Sequence, residues 1–222
     1  LIKTVHDRVV LEIARGCTRG CRFCQAGMVW RPVRERNPST LLAMAEEALG
    51  ATGYDEISLL SLSAGDYSRI EPLLGELMNR YSGRRVALGL PSLRVETLTP
   101  RLIEEIRRVR KTSFTIAPEA GTQRLRDIIN KGNTEADLLE TARRVFEGGW
   151  KSIKLYFMIG LPGERGEDLE GIADLAHRVM REGRGRQVNV GLSTLVPKPH
   201  TPFQWVRQIG LEETLAAQGH LK

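Results

Sequence analysis

Residues 16–27 read GCTRGCRFCQAG and hold Cys17, Cys21 and Cys24, the only cysteines among the 222 residues. An odd number of thiols crowded into one loop cannot form a disulfide framework. No secretory leader pattern precedes them, so the expected compartment is the cytoplasm, where clustered cysteines bind metal or carry redox chemistry. A closed zinc site takes four ligands, usually as two short-spaced pairs. Here three residues separate the first two cysteines and two separate the next, with no second pair. His6, His177, His200 and His220 stand at no finger-like spacing, and His6 and His200 read as hydrogen-bonding loop residues. Iron–sulfur cubanes normally take four thiolates. Three would leave one iron open to an outside ligand, so the loop reads as the holder of an open-iron cluster, with zinc as the competing occupant.

The segments around the loop set the fold. Val9 to Ile13 reads as a buried strand, followed by the cysteine loop and a helix after Pro38 with Leu41, Leu42, Ala45 and Leu49 at helical spacing. Further strands are expected at 57–62, 86–90, 113–116, 153–159 and 188–195. Between them, Ser68 with Glu71 forms an expected capping box, and Thr99 with Pro100 opens the next helix. A short helix is expected to end at Gly132, another to run from Thr134 to Gly148–Gly149, and another to span 167–182. Strand and helix thus alternate six times, which demands a parallel sheet with right-handed crossovers. Every strand runs into a marked loop: GCTRGCRFC, SAGD, PSLR, PEAGT, GLPGE and VPKPHTP. Sites assembled from the ends of many strands belong to barrels, whereas an open sheet concentrates ligands at one switch point. The expected fold is a partial (β/α)6 TIM-like barrel with parallel strands.

Composition is consistent with one domain: 41% hydrophobic and 27% charged residues, enough to bury a core. No apolar run is long enough for a transmembrane helix. The net charge of +6 raises the question of an anionic partner. Arg107, Arg108, Arg110 and Lys111, and Arg181, Arg184 and Arg186, end expected helices and suit the helix dipole. Arg31, Arg34 and Arg36 follow the cysteine loop and are the group placed to meet an anionic substrate. Neither a Ser–His–Asp spacing nor a P-loop is present. A chain opening on Leu1 reads as part of a longer protein, with a core over 1–204 and an extension over 205–222.

Cys17-x-x-x-Cys21-x-Phe23-Cys24 after a first strand resembles the cluster motif of the radical S-adenosylmethionine superfamily. The runs VHDR (5–8), GCTRGCRFCQAGMVWRPVRER (16–36) and APEAGTQRLRDIINKG (117–132) resemble the uncharacterised members that carry an upstream cobalamin-binding-like domain. The resemblance implies an enzyme. Three thiolates hold a [4Fe-4S] cluster, and S-adenosylmethionine chelates the fourth iron. An electron from an external donor, passed through the cluster, cleaves the cosubstrate to a 5′-deoxyadenosyl radical that takes hydrogen from a substrate. It implies roles for further residues as well. Phe23 would lie beside the adenine; Ser63, Ala64, Gly65 and Asp66 stand where the family carries a glycine–glycine–glutamate motif for the methionine amino group. This chain departs from that motif, with Asp66 for the glutamate and a single glycine. Ser92 and Arg94 match positions that meet ribose and carboxylate, and Glu119 and Lys131 match an acidic and a basic cosubstrate contact. Gly160 and Pro162 of GLPGE, and Pro197 of VPKPHTPF, resemble the last loops around the cosubstrate. Cobalamin is implied only through a domain outside this chain. Two alternatives stand beside this expectation: an RNA-modifying or methylthio-transferring relative, and a zinc- or cluster-carrying binding module without radical chemistry.

Overall fold

A computed structural model describes residues 7–91, 93–109 and 114–221. His6, Ser92, Arg110, Lys111 and Ser113 lie outside the described residues. In chain order the elements are strands β1 (Val9–Glu12) and β2 (Ala14–Arg15), helix α1 (Gln25–Val29), β3 (Arg34–Glu35), α2 (Pro38–Thr52) and β4 (Glu56–Leu60). Next come α3 (Ile70–Tyr81), β5 (Ala87–Gly89), α4 (Pro100–Arg107), β6 (Phe114–Glu119) and α5 (Gln123–Ile128). The chain continues through α6 (Glu135–Glu147), β7 (Ser152–Ile159), α7 (Gly166–Glu182), β8 (Gln187–Thr194) and α8 (Leu211–His220). These elements divide between two compact units, residues 1–16 with 32–112, and residues 17–31 with 113–222.

In the first unit β1, β4 and β5 form a parallel sheet, with Val9 opposite Ile57 and Ile57 opposite Leu88. Helix α2 begins on Asn37, whose Oδ1 accepts from the Ser39 N–H at 2.9 Å, and has Pro38 at its first position. It buries Leu41, Ala45 and Leu49, and stops where Gly53 turns left-handed at φ 70°. Helix α4 opens as expected, Thr99 Oγ1 accepting from the Leu102 N–H at 3.2 Å. The expected Ser68–Glu71 capping box does not form. Helix α3 starts only at Ile70, with Arg69 as its N-cap, so Ser68 lies outside the capping position. Its N–H and hydroxyl both donate to the Glu35 carboxylate, while Glu71 accepts from Thr99 Oγ1 at 2.6 Å. β2 and β3 pair antiparallel, Ala14 opposite Glu35. These strands are two residues each and carry no periodicity that sequence could reveal.

In the second unit β6, β7 and β8 form another parallel sheet. Ile153, Leu155, Phe157 and Ile159 of the central strand are fully buried, each contributing about 1.5–3 kcal/mol of apolar burial. Helices α6 and α7 bury Leu138, Ala142, Val145, Phe146, Ile172, Leu175 and Val179. Helix α6 carries a Thr134–Asp137 capping box and ends at Gly148. Helix α5 is shorter than expected: it ends at Ile128, and Asn130 and Gly132 turn left-handed at φ 53° and 73°. The stretch 205–222, expected as an extension, contains α8. The six expected strands correspond to β1, β4, β5, β6, β7 and β8.

Part of the arginine surplus has local work. Arg31 Nε donates to Gly27 O at 2.9 Å, Arg36 Nε donates to Glu12 O at 3.1 Å, and Arg186 donates to the Phe146 carbonyl. No helix among the described residues is long and apolar enough to cross a membrane.

Candidate metal and cofactor site

Cys17, Cys21 and Cys24 are each half-buried, and all lie in the second unit. The Cys24 N–H donates to Cys21 O at 3.1 Å, closing a turn between these two cysteines. Cys24 then caps α1, its Sγ accepting from the Gly27 N–H at 3.4 Å. Cys17 Sγ accepts from the Arg19 N–H at 3.5 Å. Backbone donors aimed at thiolate sulfurs are one of the means by which proteins set a cluster's potential. Among the described residues no three His, Cys, Asp or Glu side chains converge on a single ion. The donor set suits a cubane: three cysteine sulfurs on one loop can supply one thiolate to each of three irons and leave the fourth iron open.

The loop is fastened to the end of α5. The Arg22 N–H donates to Ile129 O at 3.0 Å, and Arg22 Nη1 donates to Ile128 O at 2.6 Å. The Asn130 amide donates to Gly20 O at 2.9 Å. Phe23 packs against an apolar cluster drawn from α5, β7 and the neighbouring loops: Ala120, Leu125, Ile129, Met158, Leu161, Leu195 and Phe203. The aromatic residue between Cys21 and Cys24 therefore anchors its loop in the core of the unit.

Glu119 ends β6 with φ 70°, a left-handed conformation that costs a non-glycine residue about 1–3 kcal/mol. The β6–β7 register shifts between Ile116 and Glu119, a bulge that re-aims the strand end. Lys131 Nζ donates to Glu119 Oε1 at 3.1 Å. The turn after Glu119 is held from below by Arg126, only 1% exposed, whose Nη1 donates to Ala120 O at 3.0 Å and Gly121 O at 3.2 Å. Burial in this apolar setting pushes the Arg126 pKa down. Gly121 presses against α7: a Cβ there would lie 2.4 Å from Ile172 N. Buried Asp168 accepts from Thr122, Arg124 and the Arg165 N–H, tying the same turn to the start of α7.

Gly160 and Pro162 belong to a turn closed on itself. The Glu164 carboxylate accepts from the Gly160 N–H at 2.9 Å, and Gly160 is left-handed at φ 75°. Burial raises the Glu164 pKa, opposed by the hydrogen bonds from Gly160 and Leu161. Beside this turn is a cavity of about 710 Å³, lined by Leu161, Pro162, Glu164, Val206 and Ile209 among others. Pro197 is half-buried in the last loop, and Gln25 of α1 donates to Pro199 O at 3.2 Å.

Ser63, Ala64, Gly65, Asp66 and Arg94 lie in the first unit, and Ser92 lies outside the described residues. Ala64–Asp66 form a 3₁₀ turn, and a Cβ on Gly65 would lie 2.0 Å from Thr97 Oγ1. Thr97 Oγ1 in turn donates to Arg94 O at 2.9 Å. Gly65 thus packs against Thr97, the residue that holds the Arg94 carbonyl, and a side chain at 65 would meet it. Arg94 pairs with Glu96 at 2.6 Å. Ser63 Oγ is buried with no hydrogen-bond partner among the described residues, a polar group open to a ligand or a water. The second unit holds the cysteines, Phe23, Glu119, Lys131, Gly160, Pro162 and Pro197. Sequence reasoning missed Asn130, Arg126, Gly121 and Asp168. Their residue types were visible in the sequence, but their long-range partners were not.

The Radical SAM superfamily profile matches residues 11–176. An uncharacterised protein of Methanocaldococcus jannaschii is 37% identical over 88% of this chain and 42% of its own length. The tRNA-2-methylthio-N(6)-dimethylallyladenosine synthase of Desulforamulus reducens is 28% identical over 76% of this chain and 39% of its own. The chain spans about two fifths of these curated relatives. Among solved structures, the radical S-adenosylmethionine methyltransferase TsrM of Kitasatospora setae, with cobalamin and a [4Fe-4S] cluster bound, superposes with TM-score 0.70. It is 16% identical and covers 88% of this chain and 38% of TsrM. The fold is therefore the expected partial TIM-like barrel.

Proposed function

The chain belongs to the radical SAM superfamily, and on that premise we propose that Cys17, Cys21 and Cys24 hold a [4Fe-4S] cluster with one iron left for S-adenosylmethionine. When bound, the cluster supplies the electron that splits the cosubstrate into methionine and a 5′-deoxyadenosyl radical, which takes hydrogen from a substrate. The chain's own residues bind and orient. Phe23 offers its ring and backbone to the adenine, and Glu119, held by Lys131, offers a carboxylate to ribose hydroxyls or the methionine ammonium. Gly160, Pro162 and Pro197 shape the adenine side. Ser63, Ala64, Gly65, Asp66, Ser92 and Arg94 serve the methionine and ribose. The observation that carries the reading is that all three thiols sit on one loop fastened to α5, the helix that lies between Glu119 and Lys131.

Anaerobic reconstitution tests it. The protein should bind about four irons and four sulfides, and with dithionite and S-adenosylmethionine it should release 5′-deoxyadenosine. Stoichiometric zinc without sulfide would favour a binding module instead. Residues 1–204 form the core and 205–222 an extension; an external electron donor is required, and the cytoplasm suits an oxygen-sensitive cluster. Cobalamin would be carried outside this chain, a reading supported by the fold shared with TsrM. A second reading, methylthio transfer to RNA, is favoured by the identity to the tRNA-modifying synthase and by the net charge of +6. Transfer RNA incubated with the reconstituted full-length protein would then gain the mass of a methylthio group.

A further inference from the structure

We infer that Asn130 is a positioning residue that joins the cosubstrate contacts to the cluster ligands, an inference that rests on the proposed use of the cysteine loop. Helix α5 is bound at both ends. On the side of its start, the turn after Glu119 is held by Arg126, which reaches back from the last turn of the helix to the carbonyls of Ala120 and Gly121. Past its end, the Asn130 amide donates to Gly20 O at 2.9 Å and to Arg19 O at 3.5 Å. The next residue, Lys131, holds the Glu119 carboxylate at 3.1 Å. Gly20 lies between Cys17 and Cys21, so neighbouring residues of one turn hold the cluster loop and the cosubstrate carboxylate. A displacement of either is transmitted to the other through a single peptide unit.

The residue types suit this joint. Asn130 is left-handed at φ 53°, a conformation asparagine tolerates better than most residues. Gly20 is left-handed at φ 70°, and a Cβ there would lie 3.3 Å from Asn130 Nδ2. The close approach therefore needs a side-chain amide on one side and no side chain on the other. A methyl group at 20 or a missing amide at 130 opens the joint.

Two variants separate the amide from the backbone. Asn130→Gly keeps the left-handed turn and deletes the donor; Asn130→Asp keeps the size and turns an acceptor toward two carbonyls. In the reconstituted full-length protein both should retain iron and sulfide. Exchange of the Arg22 amide hydrogen, measured by mass spectrometry, should quicken about tenfold, the factor an ordinary hydrogen bond supplies. The apparent Kd for S-adenosylmethionine, read from its effect on the electron paramagnetic resonance spectrum of the reduced cluster, should rise about tenfold for the same reason. Wild-type exchange and wild-type titration in Asn130→Gly would overturn the inference. So would faster exchange with an unchanged titration, because the amide would then support the loop alone. Wild-type protein that takes up no cluster overturns the functional reading together with this one, whereas intact wild type with unaffected variants overturns this inference only.

Discussion

Lys131 Nζ lies 3.1 Å from Oε1 of Glu119, and the two side chains are only 11% and 16% exposed. An ion pair so enclosed is screened less than a surface pair, and losing one partner leaves the other charge uncompensated. The lysine thus holds a carboxylate whose backbone is already strained at φ 70°. A strained acidic residue at a strand end, kept in place by a cation from the following turn, is an arrangement suited to ligand contact rather than to packing.

Glu119→Gln should therefore leave iron and sulfide content unchanged while weakening S-adenosylmethionine binding. The loss of a charge-assisted hydrogen bond predicts a Kd raised at least about tenfold. Equilibrium titration of the reconstituted protein checks this. Lys131→Met should weaken the same binding and also lower the stability of the unliganded protein, because it strands the Glu119 charge.

Much of this was legible from the amino-acid order because the signals are local. Three cysteines in one loop, Pro38 after Asn37, and Thr134 three residues before Asp137 each declare themselves within a few positions. The strands of both sheets are apolar runs of ordinary length, and all six were expected. What stayed hidden depends on partners far along the chain. Ser68 and Glu71 have the spacing of a capping box, yet Glu35 and Thr99 take their hydrogen bonds. Arg126 looks like a solvated helix residue and is buried because Ala120 and Gly121 present carbonyls to it. Asn130 carries no motif of its own; only the folded loop brings Gly20 to it.

Two glycine substitutions should shift stability in opposite directions. Gly121→Ala would put a methyl group 2.4 Å from Ile172 N and 2.5 Å from Asp168 O, both backbone atoms that cannot step aside. Overpacking of that kind costs about 1–3 kcal/mol or more. Gly50 lies within α2 with nothing within 4 Å of an added Cβ. Gly50→Ala should stabilise the protein by about 0.5–1 kcal/mol through helix propensity. Urea unfolding of the two variants beside wild type reads both signs.

Glu164 predicts a pH dependence. Burial raises its pKa in the fold, against the opposing hydrogen bonds from Gly160 and Leu161. Between the ordinary glutamate pKa and the higher folded value, the folded state binds more protons than the unfolded chain. Stability contributed by this group is therefore complete below the ordinary pKa and declines as pH rises through that window. Glu164→Gln keeps an acceptor for the Gly160 N–H and removes the titration. The stability difference between variant and wild type, followed by thermal unfolding from acid to neutral pH, should grow in favour of the variant as pH rises. A flat difference would show that the carboxyl ionises as freely in the fold as outside it.

Cys24 serves two purposes that two substitutions can separate. Its Sγ is a ligand of the proposed cluster, and in the structure it also caps α1 by accepting from the Gly27 N–H at 3.4 Å. Serine is a strong N-cap and alanine a poor one, a difference of about 0.5–2 kcal/mol. Both Cys24→Ser and Cys24→Ala remove the thiolate, so both should lose 5′-deoxyadenosine release and most of the iron bound on reconstitution. Only the alanine variant should also lower the stability of the metal-free protein and speed amide exchange at Gly27. If the serine variant destabilises the metal-free protein as much as alanine does, the cap contributes nothing. If it instead retains a full complement of iron and sulfide with cosubstrate cleavage intact, the third thiolate is not a required ligand and the open-iron arrangement fails with it.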